Sequence, residues 1–266
     1  MFLTTLSYIT RPNIFFSWEY PTSTGIGCNT HNENDTEYFS LFLQELREHP
    51  VGANLTLSAA VATVPFTDRN GNPSQNLSAF AQALDYFELM VYDVYGPWNN
   101  IVGPNAPLND TCASTQYQAG SAVSAMAKWN KAGVPSNQLV LGVPSYGHSY
   151  LVKNADAFLS NSTNLAPYPD LVKVHIMGDT WDTTPGVDVC GNATTVGGTI
   201  NYWALIDYGF LSSNGSVNNG IYYRYDNCSQ TVSFLLVLLI QHSPTPLSHM
   251  YIMPIPKLWC HTIMFK

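Results

Sequence analysis

The sequence predicts an α/β protein with a parallel sheet, and three observations carry that prediction. Short runs of β-branched, aromatic or other apolar residues alternate with segments of helical period over residues 13 to 143, the pattern of parallel βα units. Clusters of Pro, Gly, Asn and Asp punctuate those runs, which is where turns belong. A chain of 266 residues with 45% hydrophobic content can bury the core of one large domain or two smaller ones.

The elements follow in order. Ile14-Phe15-Phe16, bounded by Pro, reads as a buried strand. Asn34-Asp35-Thr36 can cap a helix, Phe39, Phe42, Leu43 and Leu46 form one apolar stripe at i, i+3, i+4 and i+7, and His49-Pro50 closes it. Leu55 to Val64 is a second buried strand ending at Pro65, with a turn over Asp68 to Pro73. A short helix from Leu77 to Leu84 leads to a third strand, Tyr86 to Tyr92, with Asp93 at its tip. A long helix from about Thr115 to Ala132 and a fourth strand from Gln138 to Val143 complete the series. Beyond Tyr150 the texture turns to Gly, Asn, Thr, Tyr and Trp with few helical periods, consistent with a small α+β insertion.

Composition excludes several function classes. The net charge of −8 rests on 11% charged residues with ten scattered Lys and Arg, so there is no basic footprint for nucleic acid or an anionic membrane. A neutral, hydroxyl-rich ligand fits better, and 16 Tyr and 6 Trp supply surfaces that stack on sugars or equally fill cores. Gly25-Ile26-Gly27 lacks the third glycine of a dinucleotide fingerprint, and no phosphate loop, HExxH or GxSxG occurs.

Compartment is legible from sequons and cysteines. Asn34, Asn76, Asn109, Asn161, Asn192, Asn214 and Asn227 are expected N-glycosylation acceptors, with Asn54 the eighth and most crowded sequon. Cys28, Cys112, Cys190, Cys228 and Cys260 lack metal spacing and favour disulfides. Four cysteines allow three connectivities; the pairing expected is Cys28 with Cys112 and Cys190 with Cys228. Met1 to Leu6 has no basic or usefully long apolar region and does not read as a signal peptide. Phe234 to Ile240 is apolar but far short of the roughly 20 residues that span a bilayer.

The chemical residues gather at strand ends. Ser17-Trp18-Glu19-Tyr20-Pro21 places a carboxyl beside aromatics just after the first strand, Met90-Val91-Tyr92-Asp93 and Gly96-Pro97-Trp98 follow the third, and Gly142-Val143-Pro144-Ser145-Tyr146-Gly147 follows the fourth. The C-terminal rim of parallel strands is where βα barrels carry catalytic residues. Taken alone, the pentapeptide reads more readily as two core aromatics, Trp18 and Tyr20, around a solvated strand-end charge at Glu19.

Together with Gly103-Pro104-Asn105-Ala106-Pro107-Leu108, these motifs resemble family 18 glycoside hydrolases, the chitinases and chitinase-like lectins, especially their secreted fungal type. The resemblance runs from about Asn13 to Gln230. It implies a partial (β/α)8 TIM barrel, about strands four to seven, with residues 1–150 as the partial catalytic domain, 151–228 as the α+β insertion and 229–266 as an aberrant or disordered tail. The chain would be incomplete at both ends: too little precedes Asn13 for three strands, and Trp259 does not stand in for a sugar-stacking Trp of an eighth.

The resemblance also implies an O-glycosyl hydrolase of chitinase type, acting on β-1,4-linked N-acetylglucosamine. In this family the substrate's own acetamido oxygen attacks the anomeric carbon, so one protein acid suffices. Glu19 would be that acid, which calls for burial or a neighbouring charge to keep its proton. Tyr92 would hydrogen-bond the acetamido oxygen and Asp93 would contact the sugar. Ser17, Trp18, Tyr20, Met90, Trp98 and Tyr146 would bind substrate. Ser17 stands where the family pattern Asp-Gly-x-x-x-Asp-x-Glu has a carboxylate, and losing one preorganised stabiliser typically costs about 10² to 10³ in rate. A carbohydrate-binding protein without turnover is the alternative. No metal or organic cofactor is implied. The expected partners are chitin or chitooligosaccharides, with no nucleic acid and no membrane, for an extracellular monomer.

Overall fold

Four short strands separated by helices have the crossovers that parallel pairing needs, and they lie parallel in a computed structural model that describes residues 12–237 and 247–253. Within those residues the chain folds as two compact units, 12–90 with 126–141, and 91–125 with 142–237 and 247–253.

In the first unit, β1 (Asn13–Phe16), β2 (Thr56–Val61), β3 (Tyr86–Leu89) and β4 (Leu139–Leu141) form a parallel sheet in the order β1-β2-β3-β4. The crossovers include α1 (Asp35–Glu48), α2 (Ser78–Ala83) and α3 (Ala122–Lys131), the last belonging to this unit from residue 126 onward. The middle strands are buried: Leu57, Val61, Phe87 and Leu89 are fully enclosed. Over them packs an aromatic cluster in which Phe39, Phe66 and Phe80 meet at ring distances of 5.0–6.1 Å and Trp129 joins through Phe66 at 5.4 Å. The buried indole donates its N–H to the carbonyl of Ala62 at 2.9 Å, so its polar edge is satisfied as burial requires. Arg47 ties α1 to the sheet, donating to the carbonyls of Ala83 and Leu55 and to Asp85, whose carboxylate also accepts the Leu57 N–H.

Three expectations for this unit need correction. The first strand is not buried: Phe15 is 52% exposed, because β1 is at an edge of the sheet and, among the described residues, pairs with β2 alone. Phe42, placed on the apolar stripe of α1, is 49% exposed beside it, while Phe39 and Leu43 are buried. Asn34 makes no side-chain cap at the start of α1; Asp35 accepts the Asn32 N–H instead.

In the second unit a five-stranded antiparallel sheet runs β8-β5-β11-β10-β9. Its strands are β5 (Tyr146–Lys153), β8 (Thr199–Asn201), β9 (Tyr222–Asp226), β10 (Thr231–Val237) and β11 (Leu247–Met253). A small hairpin of β6 (Gly186–Val187) and β7 (Ala193–Thr194), with α4 (Asn154–Ala157) and α5 (Tyr202–Asp207), fills the connections. One core packs Ile200, Leu205, Phe210, Leu211 and Phe234 together, and a second packs Val102, Val152, Leu165 and Leu235.

The expected boundary at residue 150 falls inside β5, and the segment expected to be tail from 229 contributes β10 and β11 to this sheet. β10 is enclosed on both faces, Val232 and Phe234 packing in the first of those cores and Leu235 in the second. Residues 1–11, 238–246 and 254–266, including Cys260 and Trp259, lie outside the described residues. The long helix expected from Thr115 is a single 3-10 turn at Thr115–Tyr117 followed by α3, because Gly120 takes a φ of 131° between them. Cys112 is bonded to Cys228, with Cα atoms 6.2 Å apart, which overturns both expected pairings; Cys28 and Cys190 are also disulfide-bonded. Among the described residues no helix is long and apolar enough to cross a membrane.

Candidate active site

The expected site residues divide between the units. Ser17, Trp18, Glu19, Tyr20 and Met90 belong to the first, and Tyr92, Asp93, Trp98 and Tyr146 to the second.

Glu19 lies three residues beyond the end of β1. It is exposed, and Ser17 Oγ donates to its Oε1 at 2.8 Å. Trp18 is 41% exposed, with its edge against Phe39 at 5.5 Å. Tyr20 and Met90 are half-buried, Met90 continuing the ladder by donating its N–H to Val61.

The second group is built on a sharp turn and a strand. Asp93 adopts a φ of 56°, uncommon for a residue with a side chain. What holds it there is Asn105, fully buried, whose Oδ1 accepts the Asp93 N–H at 2.8 Å while its Nδ2 donates to the Tyr146 carbonyl at 3.0 Å. One amide therefore locks the turn after β3 to the start of β5. Across that lock, Tyr146 Oη donates to Asp93 Oδ1 at 2.8 Å, and His148 Nε2 meets the same oxygen at 2.8 Å. An ionised carboxylate can only accept, so the proton of this contact sits on His148 Nε2. His148 Nδ1 and Tyr150 Oη are buried without a partner among the described residues.

The electrostatics follow from those contacts. Burial pushes the Asp93 carboxyl upward, but hydrogen bonds from His148 and Tyr146 and attraction to His148 outweigh it and hold the group below its ordinary value of 3.8. Burial and the Asp93 charge push the Tyr146 phenol upward, so it remains a donor. The pair is thus a fixed anion with a fixed donor.

Apolar walls complete the group. Tyr92 lies edge-on to Tyr146 at 6.2 Å, and Trp98 edge-on to His148 at 5.2 Å. Trp98 is 56% exposed, and its ring folds over Gly96 so closely that an added Cβ would stand 2.2 Å from it. Such a surface offers an anion, phenols and an open indole face to a ligand with both polar and apolar sides. Among the described residues no cluster of three or more His, Cys, Asp or Glu could hold a metal.

Asn105 and His148 were not among the expected site residues. Asn105 lay in a quoted motif without a role, and a neutral amide gives no chemical signal. His148 could have been found from the strand period, since Tyr146, His148 and Tyr150 alternate along β5 and share one face.

Residues 13–235 match the model of the glycosyl hydrolases family 18. A chitinase-like effector of Moniliophthora perniciosa is 51% identical over 215 residues, covering 80% of this chain and 49% of the relative. One from Moniliophthora roreri is 48% identical over 220 residues, covering 82% and 53%. The chain therefore spans about half the length of the curated relatives it matches. Among solved structures, a chitinase from Rhizomucor miehei superposes with a TM-score of 0.72 at 31% identity, covering 89% of this chain and 60% of that one. With most of its length matched by the family model and half of the 215 aligned residues shared with a relative, the chain belongs to glycosyl hydrolases family 18.

Proposed function

We propose that this chain is part of an extracellular chitinase-like protein that binds β-1,4-linked N-acetylglucosamine and cleaves it by substrate-assisted retention, at a rate limited by Ser17. In this reading β1 to β4 correspond to strands four to seven of a (β/α)8 barrel. The observation that carries the reading is the Asp93 group: a carboxylate held ionised by Tyr146 and His148, on a turn locked by Asn105, beside the open face of Trp98. That combination suits an uncharged N-acetylated sugar, with the anion accepting from polar edges and the indole covering an apolar ring face.

The reaction balances with one protein acid. Glu19 gives its proton to the glycosidic oxygen as that oxygen leaves C1, and the acetamido oxygen forms the new bond to C1. Tyr92 donates to the acetamido oxygen, and Asp93 contacts the sugar and holds the polar network. Water then opens the oxazolinium, returning its proton to Glu19. Trp18, Tyr20, Met90 and Trp98 line the sugar's path. Ser17 is neutral, so positive charge on the intermediate lacks the carboxylate that the family pattern supplies. Asn34, Asn76, Asn109, Asn161, Asn192, Asn214 and Asn227 would carry glycans.

A second reading, binding without turnover, is favoured by Ser17 itself, whose hydroxyl donates to Glu19 Oε1. The two are separated by incubating the full-length protein with the N-acetylglucosamine tetramer. Release of shorter N-acetylated products, abolished by Glu19→Gln, supports cleavage. Binding without any product supports the second reading, and neither binding nor product contradicts both.

A further inference from the structure

Trp181 is 80% exposed on the segment between α4 and β6, an aromatic ring left almost wholly to solvent. Mobility does not explain it, because the loop is pinned by two carboxylates that accept backbone N–H groups. Asp179, itself buried, accepts from Trp181 at 2.8 Å and from Asn201. Asp182 accepts from Gly178 at 2.8 Å, Thr183 at 2.9 Å, Gly198 at 2.9 Å and Thr199 at 3.0 Å. Gly178 presses so closely on β8 that an added Cβ would stand 1.6 Å from the Thr199 carbonyl.

These bonds fix where the indole stands. Asn201 and Thr199, the strand residues that hold the loop, are the register partners of Tyr146 and His148, the two side chains that hold Asp93. The loop is therefore one strand removed from the Asp93 group. A second tie runs through Gly198, where an added Cβ would lie 3.2 Å from Pro97, the neighbour of Trp98. Lys173 strengthens it by donating to the Trp98 carbonyl at 3.3 Å and to that of Asn99.

We propose that Trp181 is an outer stacking platform for the same glycan, engaging sugar units beyond those over Trp98 and Asp93 and so favouring long chains over short ones. This rests on the reading of the Asp93 group as the sugar site. The ligand class follows from the surroundings: both carboxylates near the ring are engaged by backbone donors, and its exposed neighbours Thr180, Thr183 and Thr184 are neutral hydroxyls, which suits a polyhydroxylated chain rather than an ion. A rigid aromatic also loses little entropy on binding.

The test measures affinity of the full-length protein for β-1,4-linked N-acetylglucosamine dimer through hexamer, with Glu19→Gln in every variant to stop cleavage. Trp181→Ala should weaken the hexamer by about tenfold and leave the dimer within about twofold, with Trp181→Tyr restoring most of the loss. Equal weakening at every length, or none, overturns the platform while leaving the sugar site standing. If the parent binds no oligomer of any length, both readings fall. An unchanged thermal midpoint in Trp181→Ala, expected for so exposed a side chain, excludes unfolding as the cause of the length-dependent loss.

Discussion

At the end of β1, Glu19 has one side-chain hydrogen bond among the described residues, from Ser17 two positions earlier, and it is exposed. On the turn after β3, Asp93 is held through its N–H by a fully buried amide and through one carboxylate oxygen by two donors, one of them from a buried imidazole. The two sets of residues assigned to one reaction are thus held very differently. In the proposed function recognition would rest on an over-determined network in which each polar group fixes another, whereas proton delivery would rest on a short strand-end segment. On that proposal turnover could be lost at Ser17 with the ligand kept.

The sharpest way to break that contrast is to restore the missing charge. Ser17→Asp in the full-length protein should raise kcat by about 10² to 10³ with little change in KM, read from product release. An unchanged kcat would show that the strand-end segment is not where rate is lost. Next in size is Asn105→Ala, which leaves the Asp93 N–H and the Tyr146 carbonyl without their partner. Each such group costs about 1 to 3 kcal/mol, so the urea midpoint should fall and sugar affinity with it. A stable variant with native affinity would show that the turn does not need its lock.

Smaller effects sharpen the comparison. Gly96→Ala drives a Cβ into the Trp98 ring, and the displaced indole should weaken sugar binding by up to about 1.5 kcal/mol while leaving the Ser17 and Glu19 contact untouched. His148→Phe should cost about 1 kcal/mol at neutral pH, since Asp93 is only partly shielded from water. Its pH dependence is more telling. A carboxyl held below 3.8 in the folded state contributes stability that is present above the unfolded value and is lost as pH falls through the folded one. Without His148 the carboxyl shifts upward, the contribution shrinks, and the acid limb of the urea midpoint moves to higher pH. An acid limb that stays in place would show that His148 does not bear on the Asp93 charge.

Much of the first unit was legible because its signals are local. The runs at Leu55 and Tyr86 and the stripe of Phe39 and Leu43 follow from periodicity, and their strands and helix form within a few residues of the expected ends. Exposure was not legible, since Phe15 is apolar whether β1 is central or at an edge, and neighbour count is a property of the sheet. The same holds for Cys112 and Cys228, 116 residues apart in sequence, whose pairing depends on the folded path alone. At the site, Asp93 and Tyr146 were named through the family resemblance of their motifs. Asn105 was given no role, because its work is to satisfy two backbone groups that no sequence pattern displays.

The claim that recognition and proton delivery reside in different residues is tested most directly by titrating the N-acetylglucosamine tetramer into full-length Glu19→Gln and Asp93→Asn proteins. Glu19→Gln should bind within about threefold of the parent and release no product, and Asp93→Asn should bind at least about tenfold more weakly, the scale of one lost hydrogen bond to a charged group. Native affinity in Asp93→Asn, or lost affinity in Glu19→Gln, would contradict it.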